Sequence, residues 1–430
     1  MAQTFDPVGT PPVKPLAVIQ QSGLALAFIL TCVSAYLSHL GLQLIGAVTG
    51  LLCLMAWREA VRIWPFVALC LALVVWAIIS MQWSGYAALH PWDLGRMASW
   101  EKQTPVKLAV QTLLLLPIPL MALRLGAPSR DRAMSALFYA VLALAALMLL
   151  EGIGQGGLYN QLRTAIGDPK RPDLAFVGIG QALFVLAAFY WAFVASVQHR
   201  PRAVLWTLGV AVMLGISTFL FRINAPLVAL VASAGVFWMV KSSGAKLART
   251  VMAPLAVALA GLVILGFPFF VQALDQAGVI EGLVPKIGDS WAARLQIWSF
   301  AAERIAEKPL VGWGIDASRT FDPNIPIHTH NFVLQVWLEL GLVGALIFTG
   351  LWGLLFWMAS RAGEGDDASE PGYAMAMLMV FFVIGNLSFG VWQEWWLAMA
   401  ALATTALILA LRLRRQEKAN FRPFDELTPL

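Results

Sequence analysis

Long apolar runs dominate this sequence and constrain its fold more than any other feature. A helix that crosses a membrane needs roughly 20 mostly apolar residues. With 60% hydrophobic and only 12% charged residues, the composition excludes an ordinary soluble globule, a disordered chain and a coiled coil. We therefore predict an all-α polytopic membrane protein, one transmembrane domain over residues 1–430, with about twelve spanning helices. The predicted segments are 22–38, 41–57, 64–83, 107–123, 133–150, 174–197, 203–221, 223–240, 250–271, 332–358, 373–391 and 395–411.

The distribution of Lys and Arg between the short connections predicts the orientation. Positively charged residues favour the cytoplasmic side, and long loops count little in this rule. Leaving out the long 272–331 connection, 17 Lys and Arg lie on the side of the N-terminus and 7 on the other. We expect both termini in the cytoplasm and the long loop outside, in the periplasm of a bacterial inner-membrane protein.

Net charge and cysteines exclude several classes of function. The net charge of +5 comes mostly from short inter-helix loops, so it indicates membrane orientation rather than nucleic-acid binding. Cys32, Cys53 and Cys70 all fall in apolar runs, which is neither a disulfide framework nor a metal site. No metal, cofactor or nucleic-acid partner is expected.

The connection from 272 to 331 is the only sizeable non-membrane segment. It is far longer than a connector requires, and loops of that length are usually functional. An amphipathic helix is predicted at 290–308, lying on the membrane surface or on the bundle. Arg294 lies at the edge of the apolar stripe of this helix. Its apolar stripe consists of Trp291, Leu295, Trp298, Ala302 and Ile305.

The loop ends with two histidines directly before an apolar helix. His328 and His330 are followed by Asn331; two histidines alone do not make a zinc site, and solvated interfacial rings are the plainer interpretation. Glu339, about 13 Å further along the helix, needs a partner inside a membrane, and a neighbouring Arg or Asn386 is a candidate. Gly341 and the following Gly344 predict a face for close helix packing.

Cations recur on the predicted outer face, against the usual bias. They suggest an anionic partner there, such as a lipid phosphate, because Arg binds phosphate through two parallel hydrogen bonds. These residues are Arg163, Lys170, Arg171, Arg222, Arg304 and Arg319. Trp395 and Trp396, beside Glu394, belong either to an interfacial aromatic belt or to a sugar site.

Together these elements resemble a known family. His330-Asn331, nine residues, then Gly-x-x-Gly at 341–344 is similar to the signature of the bacterial O-antigen ligase and polymerase superfamily, although Ala345 departs from its last position. The elements Arg-x-x-x-Trp at 294–298 and Pro-Leu-x-Gly-x-Gly at 309–314 are also similar. Arg222 matches the family's Ser-Arg element in position, with Phe221 in place of Ser.

The resemblance implies a GT-C-like glycosyltransferase that works at the periplasmic face of the inner membrane. Its donor would be a glycan on undecaprenyl pyrophosphate, and a ligase would pass that glycan to a sugar hydroxyl of lipid A–core. Such enzymes are metal-independent and inverting and use no nucleotide sugar. The resemblance is closest to the ligases.

The residue chemistry suits that reaction. A His near neutral pKa accepts a proton from a sugar hydroxyl, and fixed guanidiniums stabilise a pyrophosphate leaving group. We assign His330 as the base and Arg222 and Arg294 to the pyrophosphate. His328 is a second candidate for the base or for acceptor binding, and Asn331 is a further substrate-binding candidate. The other outer cations would hold acceptor or lipid phosphates: Arg163, Lys170, Arg171, Arg304 and Arg319.

Two other classes of function stay open from the sequence. One is a polymerase or a protein-directed oligosaccharyltransferase of the same superfamily. The other is a flippase or transporter for lipid-linked sugars, which should carry broken helices and charged residues at the middle of the membrane. Here the charged residues cluster at the predicted outer mouth, which favours the enzymes.

Overall fold

The computed structural model describes residues 15–91, 93, 95, 102–169, 176, 178–363 and 367–421. Helices alone make up the regular structure of these residues, which confirms the all-α prediction. The principal helices are α1 (Pro15–Leu37), α2 (Gly41–Cys53), α3 (Trp64–Ser80), α4 (Thr104–Leu115), α5 (Ala127–Ile153), α6 (Gly157–Ala165), α7 (Ala182–Val197), α8 (Ala203–Leu220), α9 (Ala225–Leu247), α10 (Ala253–Gln276), α11 (Asp289–Glu307), α12 (Phe332–Ala359), α13 (Ser369–Leu387) and α14 (Glu394–Phe421).

Shorter helical turns connect these helices. Those of the α type span Gly85–Leu89, Pro117–Ala122 and Val279–Leu283, and a π-helical turn spans Ala248–Met252. The 3-10 turns span Leu54–Ile63, Met81–Trp83, Val284–Lys286 and Ala317–Thr320.

The structure confirms the prediction that this chain crosses the membrane several times. Among the described residues, nine helical runs are long and apolar enough to cross a membrane, so the protein is a polytopic membrane protein. Two of these runs, Gly41–Trp83 with 43 residues and Ala225–Gln276 with 52, each contain two predicted segments. The longer one is interrupted at Gly244, whose φ of 81° is not helical. The number of twelve crossings stays a prediction.

Helix α7 forms the centre of the bundle. All 16 of its residues are buried, and it packs against α5, α8, α13 and α14. A helix that is apolar on every side is stable only where other helices surround it. The outer helices instead expose large apolar side chains, such as Phe219 at 78% and Trp238 at 72%, as lipid contact requires.

The 277–331 connection lies against the bundle. Its helix α11 spans Asp289–Glu307, one residue before the predicted 290–308, and packs against α10 and α12. The buried face consists of Ile297, Trp298, Ala301, Ala302 and Ile305, so it is broader than the predicted stripe. Residues Trp291 and Leu295 of that stripe are only half-buried. Because α11 is anchored by this face, its polar residues hold fixed positions beside the start of α12.

Candidate active site

The turn before α12 brings the two histidines together. His330 has a φ of 52°, in the left-handed region that side chains other than glycine rarely adopt. Its backbone N–H donates a hydrogen bond of 3.0 Å to Nδ1 of His328, and the two ring centroids lie 4.2 Å apart. The residue between them, Thr329, is fully buried and its hydroxyl donates to the carbonyl oxygen of Asn331 at 2.6 Å. The turn is therefore a fixed structure.

The surroundings of His330 define where its proton lies. Its Nδ1 is 3.0 Å from the carbonyl oxygen of Ser388. A carbonyl oxygen only accepts hydrogen bonds, so Nδ1 carries the proton and the lone pair of the neutral ring is on Nε2. Burial lowers the pKa of His330 most; the Ser388 hydrogen bond raises it, and the positive charge of Arg294 lowers it further. The net direction is downward from 6.5, so the ring is mostly neutral at neutral pH, with a free lone pair on Nε2.

The anchoring of α11 brings the charge of Arg294 within electrostatic range of the histidines. One turn after Arg294, Trp298 donates a hydrogen bond of 3.0 Å to the carbonyl oxygen of Thr329, between the two histidines. The guanidinium lies over the ring of Trp291, 5.3 Å from its centroid, and donates to the hydroxyl and carbonyl oxygens of Ser290. Its charge lowers the pKa of both histidines, and its buried Nε finds no acceptor among the described residues. The Arg-x-x-x-Trp element thus joins a cation to the histidine turn.

Arg222 lies in the turn between α8 and α9, with a φ of 57° and an exposed side chain. Its neighbour Ile223 packs against Gly180, one helical turn before Phe184. The ring of Phe184 contacts that of Phe389, 4.6 Å between centroids, next to the residue that binds His330. These contacts put the turn of Arg222 and the histidines at the same end of the bundle. No described contact joins the Arg222 guanidinium to the histidines or to Arg294, so its convergence with them stays a prediction.

The connection between α13 and α14, residues 388–393, forms one wall of the site. The predicted span 373–391 is wrong at its end, because α13 ends at Leu387. Besides Ser388, this connection places Gly390 against the ring of His328 and the Gln393 side-chain amide 3.0 Å from Nε2 of His328. The signal in the sequence is the interruption of an apolar run by Ser, Gly and Gln-Glu.

Glu339 is fully buried and accepts four hydrogen bonds. Its Oε1 accepts from Ser318 Oγ at 2.6 Å and Gln335 Nε2 at 3.0 Å. Its Oε2 accepts from Trp392 Nε1 at 2.7 Å and the backbone N–H of Asp316 at 2.9 Å. The prediction that an Arg or Asn386 is the partner of Glu339 is therefore wrong. The carboxylate instead ties the 311–320 loop and the 388–393 connection to α12.

Helix α12 is broken at Gly341, which has a φ of 63°. The expected continuous helix, with Gly341 on a packing face, is therefore wrong. The Pro-Leu-x-Gly-x-Gly segment at 309–314 fills the break: the backbone N–H groups of Leu342 and Val343 donate to the carbonyl oxygens of Pro309 and Leu310 at 2.8 and 3.4 Å. The 309–314 loop therefore satisfies backbone groups that the break in α12 frees.

The remaining predicted substrate ligands are engaged within the protein. Asn331 is fully buried and caps α12: its Oδ1 accepts from the N–H of Leu334 at 2.9 Å and its Nδ2 donates to the carbonyl oxygen of Asn386 at 2.9 Å. Arg163 pairs with Asp168. Asn331 and Arg163 thus make contacts within the protein, and their roles in substrate binding stay predictions.

Two further cations lie in the loop. Arg304 pairs with Glu303 and Glu307 of its own helix at 2.8 and 2.7 Å. Arg319 pairs with buried Asp316 at 3.3 Å, and its charge lowers the pKa of His328. Arg319 is thus the second cation in electrostatic range of the histidine turn. The predicted ligands Lys170 and Arg171 lie outside the described residues.

An apolar groove of about 430 Å³ runs between α2, α4 and α14. An ion pair crosses it, with Lys107 Nζ 2.7 Å from Glu394 Oε1, and Glu394 follows the residue that contacts His328. Trp395 and Trp396 are buried and pack against Phe389, as core residues rather than a sugar platform. Within the part of the chain that the structure describes, no three His, Cys, Asp or Glu residues cluster as metal ligands.

Comparison with known proteins gives a match over this region. The O-antigen ligase family matches residues 224–349, which include Arg294, both histidines and the break in α12, and which begin just after Arg222. The match covers less than a third of the chain.

Three curated relatives align with between a quarter and a third of the chain. Two proteins named "Putative polysaccharide ligase", from Rickettsia conorii and Rickettsia bellii, are 31% and 33% identical over 123 residues, 25% of this chain and 29% of theirs. A protein of the same name from Rickettsia typhi is 28% identical over 148 residues, 30% of this chain and 35% of its own. The alignments thus span about a third of the relatives' length. They confirm the resemblance to the O-antigen ligase superfamily.

Proposed function

We propose that this chain, with its O-antigen ligase domain at 224–349, is an O-antigen ligase of the bacterial inner membrane. Its donor would be a glycan on undecaprenyl pyrophosphate, and its acceptor a sugar hydroxyl of lipid A–core. The observation that carries the proposal is the 3.0 Å contact between Nδ1 of His330 and the carbonyl oxygen of Ser388. Because Nδ1–H is bound to the Ser388 carbonyl, the basic Nε2 is left for a substrate hydroxyl.

In the proposed step, Nε2 of His330 takes the proton of the acceptor hydroxyl while its oxygen attacks the anomeric carbon of the donor sugar. The bond from that carbon to the pyrophosphate oxygen breaks, and undecaprenyl pyrophosphate leaves with the bonding electrons. Attack opposite the leaving group inverts the anomeric configuration. Arg294, aided by Arg222, would neutralise the developing charge, which makes the step metal-independent.

The groove beside the site suits a lipid-borne donor. Its walls are mostly apolar, and residues such as Leu44 and Val110 expose 66% and 48% of their surface on the flank of the bundle. A polyprenyl chain entering there would carry its head group toward Lys107 and the histidine turn. Termini in the cytoplasm and a site on the periplasmic side belong to the same proposal.

The test is reconstitution of the purified protein with a lipid-linked oligosaccharide and lipid A–core. A single transfer to the core supports a ligase, whereas chain growth on the carrier would identify a polymerase. His330→Ala should abolish transfer. The control is His199→Ala, because His199 pairs with Glu417 near the far end of α14. Substantial transfer by His330→Ala would contradict the assignment of the base.

A further inference from the structure

We infer that His328 and Gln393 are positioning residues, which hold the base His330 in its left-handed conformation, and that His328 takes no proton from the substrate. The inference rests on the proposed role of His330. It replaces the alternative, left open by the sequence, in which His328 is the base or binds the acceptor.

The first support is the direction of the hydrogen bond between the histidines. The backbone N–H of His330 donates to Nδ1 of His328 at 3.0 Å, so Nδ1 of His328 must carry a lone pair. In the neutral ring the proton is then on Nε2. Both nitrogens of His328 are thereby committed within the protein, and neither is offered to a hydroxyl of the substrate.

Gln393 completes the arrangement. Its side-chain Nε2 lies 3.0 Å from Nε2 of His328, where Nε2–H needs an acceptor, so the oxygen and nitrogen of the amide have to exchange places. The amide orientation that presents Oε1 to Nε2–H satisfies this proton. The same orientation gives a donor to the buried Gln393 oxygen, which otherwise finds none among the described residues. Two hydrogen bonds therefore run in series: the His330 backbone N–H donates to the His328 ring, and the His328 ring donates to Gln393.

Burial and charge keep His328 in the neutral form that this series requires. The side chain is buried, and a methyl group on Gly390 would lie 3.0 Å from its Cγ, so the ring has little room to turn. The charged and titratable groups that act on it are His330, Arg319 and Arg294, from its own turn, the 311–320 loop and α11. All three oppose a second proton on the ring, which a general base would have to accept.

The hydrogen bonds through His328 fix the backbone of His330. Its φ of 52° turns the residue back over His328 and lets Nδ1 reach the Ser388 carbonyl. A base must lie within hydrogen-bond reach of the proton it takes, and a displacement of about 1 Å can cost about 10²-fold in rate. Loss of the bond to His328 should therefore lower kcat and leave KM nearly unchanged.

Two isosteric variants separate the possible roles. The side-chain oxygen of Asn lies where Nδ1 of His lies, so His328→Asn keeps an acceptor for the His330 N–H. Gln places its polar group near Nε2, so His328→Gln keeps a partner for Gln393 and loses that acceptor. We expect a loss in kcat of about tenfold for His328→Asn, which keeps the acceptor but loses the contact with Gln393, and of about 10²-fold for His328→Gln, with similar KM for both.

A second pair keeps the test valid where a His328 variant fails to fold. Gln393→Glu retains an acceptor for Nε2–H and should keep most of the activity, whereas Gln393→Met should lower kcat by about tenfold or more. Turnover would be measured with lipid-linked oligosaccharide and lipid A–core, and folding by size-exclusion chromatography in detergent.

The outcomes distinguish this inference from the proposed function. Equal and complete loss in His328→Asn and His328→Gln would make His328 itself the base and overturn the inference. A raised KM with unchanged kcat would show that it binds acceptor, and normal kcat in both would show no role. Activity in His330→Ala would instead overturn the proposed function, whatever the His328 variants do.

Discussion

The backbone N–H of Trp313 donates a hydrogen bond of 2.8 Å to the carbonyl oxygen of Leu338, across the break in α12. Gly314 does the same to Glu339 at 2.9 Å, and the indole of Trp76 to Leu340 at 2.9 Å. The carbonyls freed by the break are thus satisfied by the loop and by α3. The Pro-Leu-x-Gly-x-Gly segment at 309–314 therefore packs into the break at Gly341 and completes its backbone hydrogen bonds. We call this packed pair of segments the joint.

This joint predicts that its glycines cannot be replaced. A Cβ on Gly341 would lie 2.5 Å from the carbonyl of Leu310, and one on Gly312 2.6 Å from the backbone of Glu339. Both residues also have positive φ. We expect Gly341→Ala and Gly312→Ala each to lower the free energy of unfolding by about 1–3 kcal/mol. The thermal midpoint in detergent, measured by size exclusion after heating, reports the loss.

Gly235→Ala is the matched control for that prediction. Gly235 lies in α9 with nothing within 4 Å of an added Cβ and no positive φ, so its thermal midpoint should be unchanged or slightly raised. If Gly341→Ala matched Gly235→Ala in stability, the joint would not hold the two segments together.

The sequence predicted the helices well because membrane crossing leaves a strong local signal. Apolar length alone located α5, α8 and α12 to within a few residues of their bounds, apart from an earlier start of α5. Periodicity located α11 to within one residue at each end. What it did not predict was the break at Gly341, because glycine is common in membrane helices and the apolar pattern continues through it.

The site was predicted in part, and for a different reason. His330 and Arg294 came from spacing that matches a family; the Arg294 charge acts on the pKa of His330, and the catalytic roles of both residues stay predictions. Apart from Gln335, the partners of Glu339 could not be predicted, and neither could the contact of Gln393 with His328, because they join segments 21 to 65 residues apart. Such pairings depend on tertiary packing, which periodicity does not encode.

His328 should make the stability of the protein depend on pH. Burial first, then the charges of His330, Arg319 and Arg294, lower its pKa from 6.5 to about 3. In the unfolded chain the ring takes up a proton below about pH 6.5, whereas the folded protein excludes it. The stability contribution is therefore complete above pH 6.5 and is lost progressively as the pH falls toward 3.

The measurement is the thermal midpoint from pH 7 to pH 4, for the parent protein and His328→Asn. The variant carries no titrating group at this position, so its midpoint should fall less steeply with acid. Parallel curves for the two proteins would show that His328 does not titrate on unfolding.

Arg222 should depend on the shape of its side chain as well as its charge. A guanidinium grips phosphate through two parallel hydrogen bonds, which an ammonium group cannot reproduce. We predict that Arg222→Lys lowers kcat by about 10²-fold and that the lipid-linked donor accumulates. Arg202→Lys, in the turn before α8, is the control and should behave as the parent. Near-normal turnover of Arg222→Lys would exclude the residue from the pyrophosphate site.

Transfer should continue in excess EDTA. In the proposed step, fixed guanidiniums supply the positive charge that a divalent ion supplies in other phosphate-leaving reactions. Turnover would be compared before and after chelation, with the lipid substrates also treated. A loss on chelation that Mg²⁺ or Mn²⁺ restores would contradict the prediction.

Arg294 should act on the base through its charge and on the leaving group through its shape. Burial first, and the positive charge of Arg294 in addition, lower the pKa of His330, so the acid limb of the pH profile of kcat/KM should lie below pH 6.5. Arg294→Gln removes the charge and should move that limb to higher pH. Arg294→Lys keeps the charge and should leave the acid limb in place. Both variants should lose about 10²-fold in rate at the plateau, because neither side chain can make the two parallel hydrogen bonds of a guanidinium to phosphate. Arg304→Gln is the control on the same helix, since Arg304 pairs with Glu303 and Glu307, and its profile should match the parent. An unchanged acid limb in Arg294→Gln would mean that His330 does not feel this charge, and with it the proposed arrangement of base and cation would be wrong.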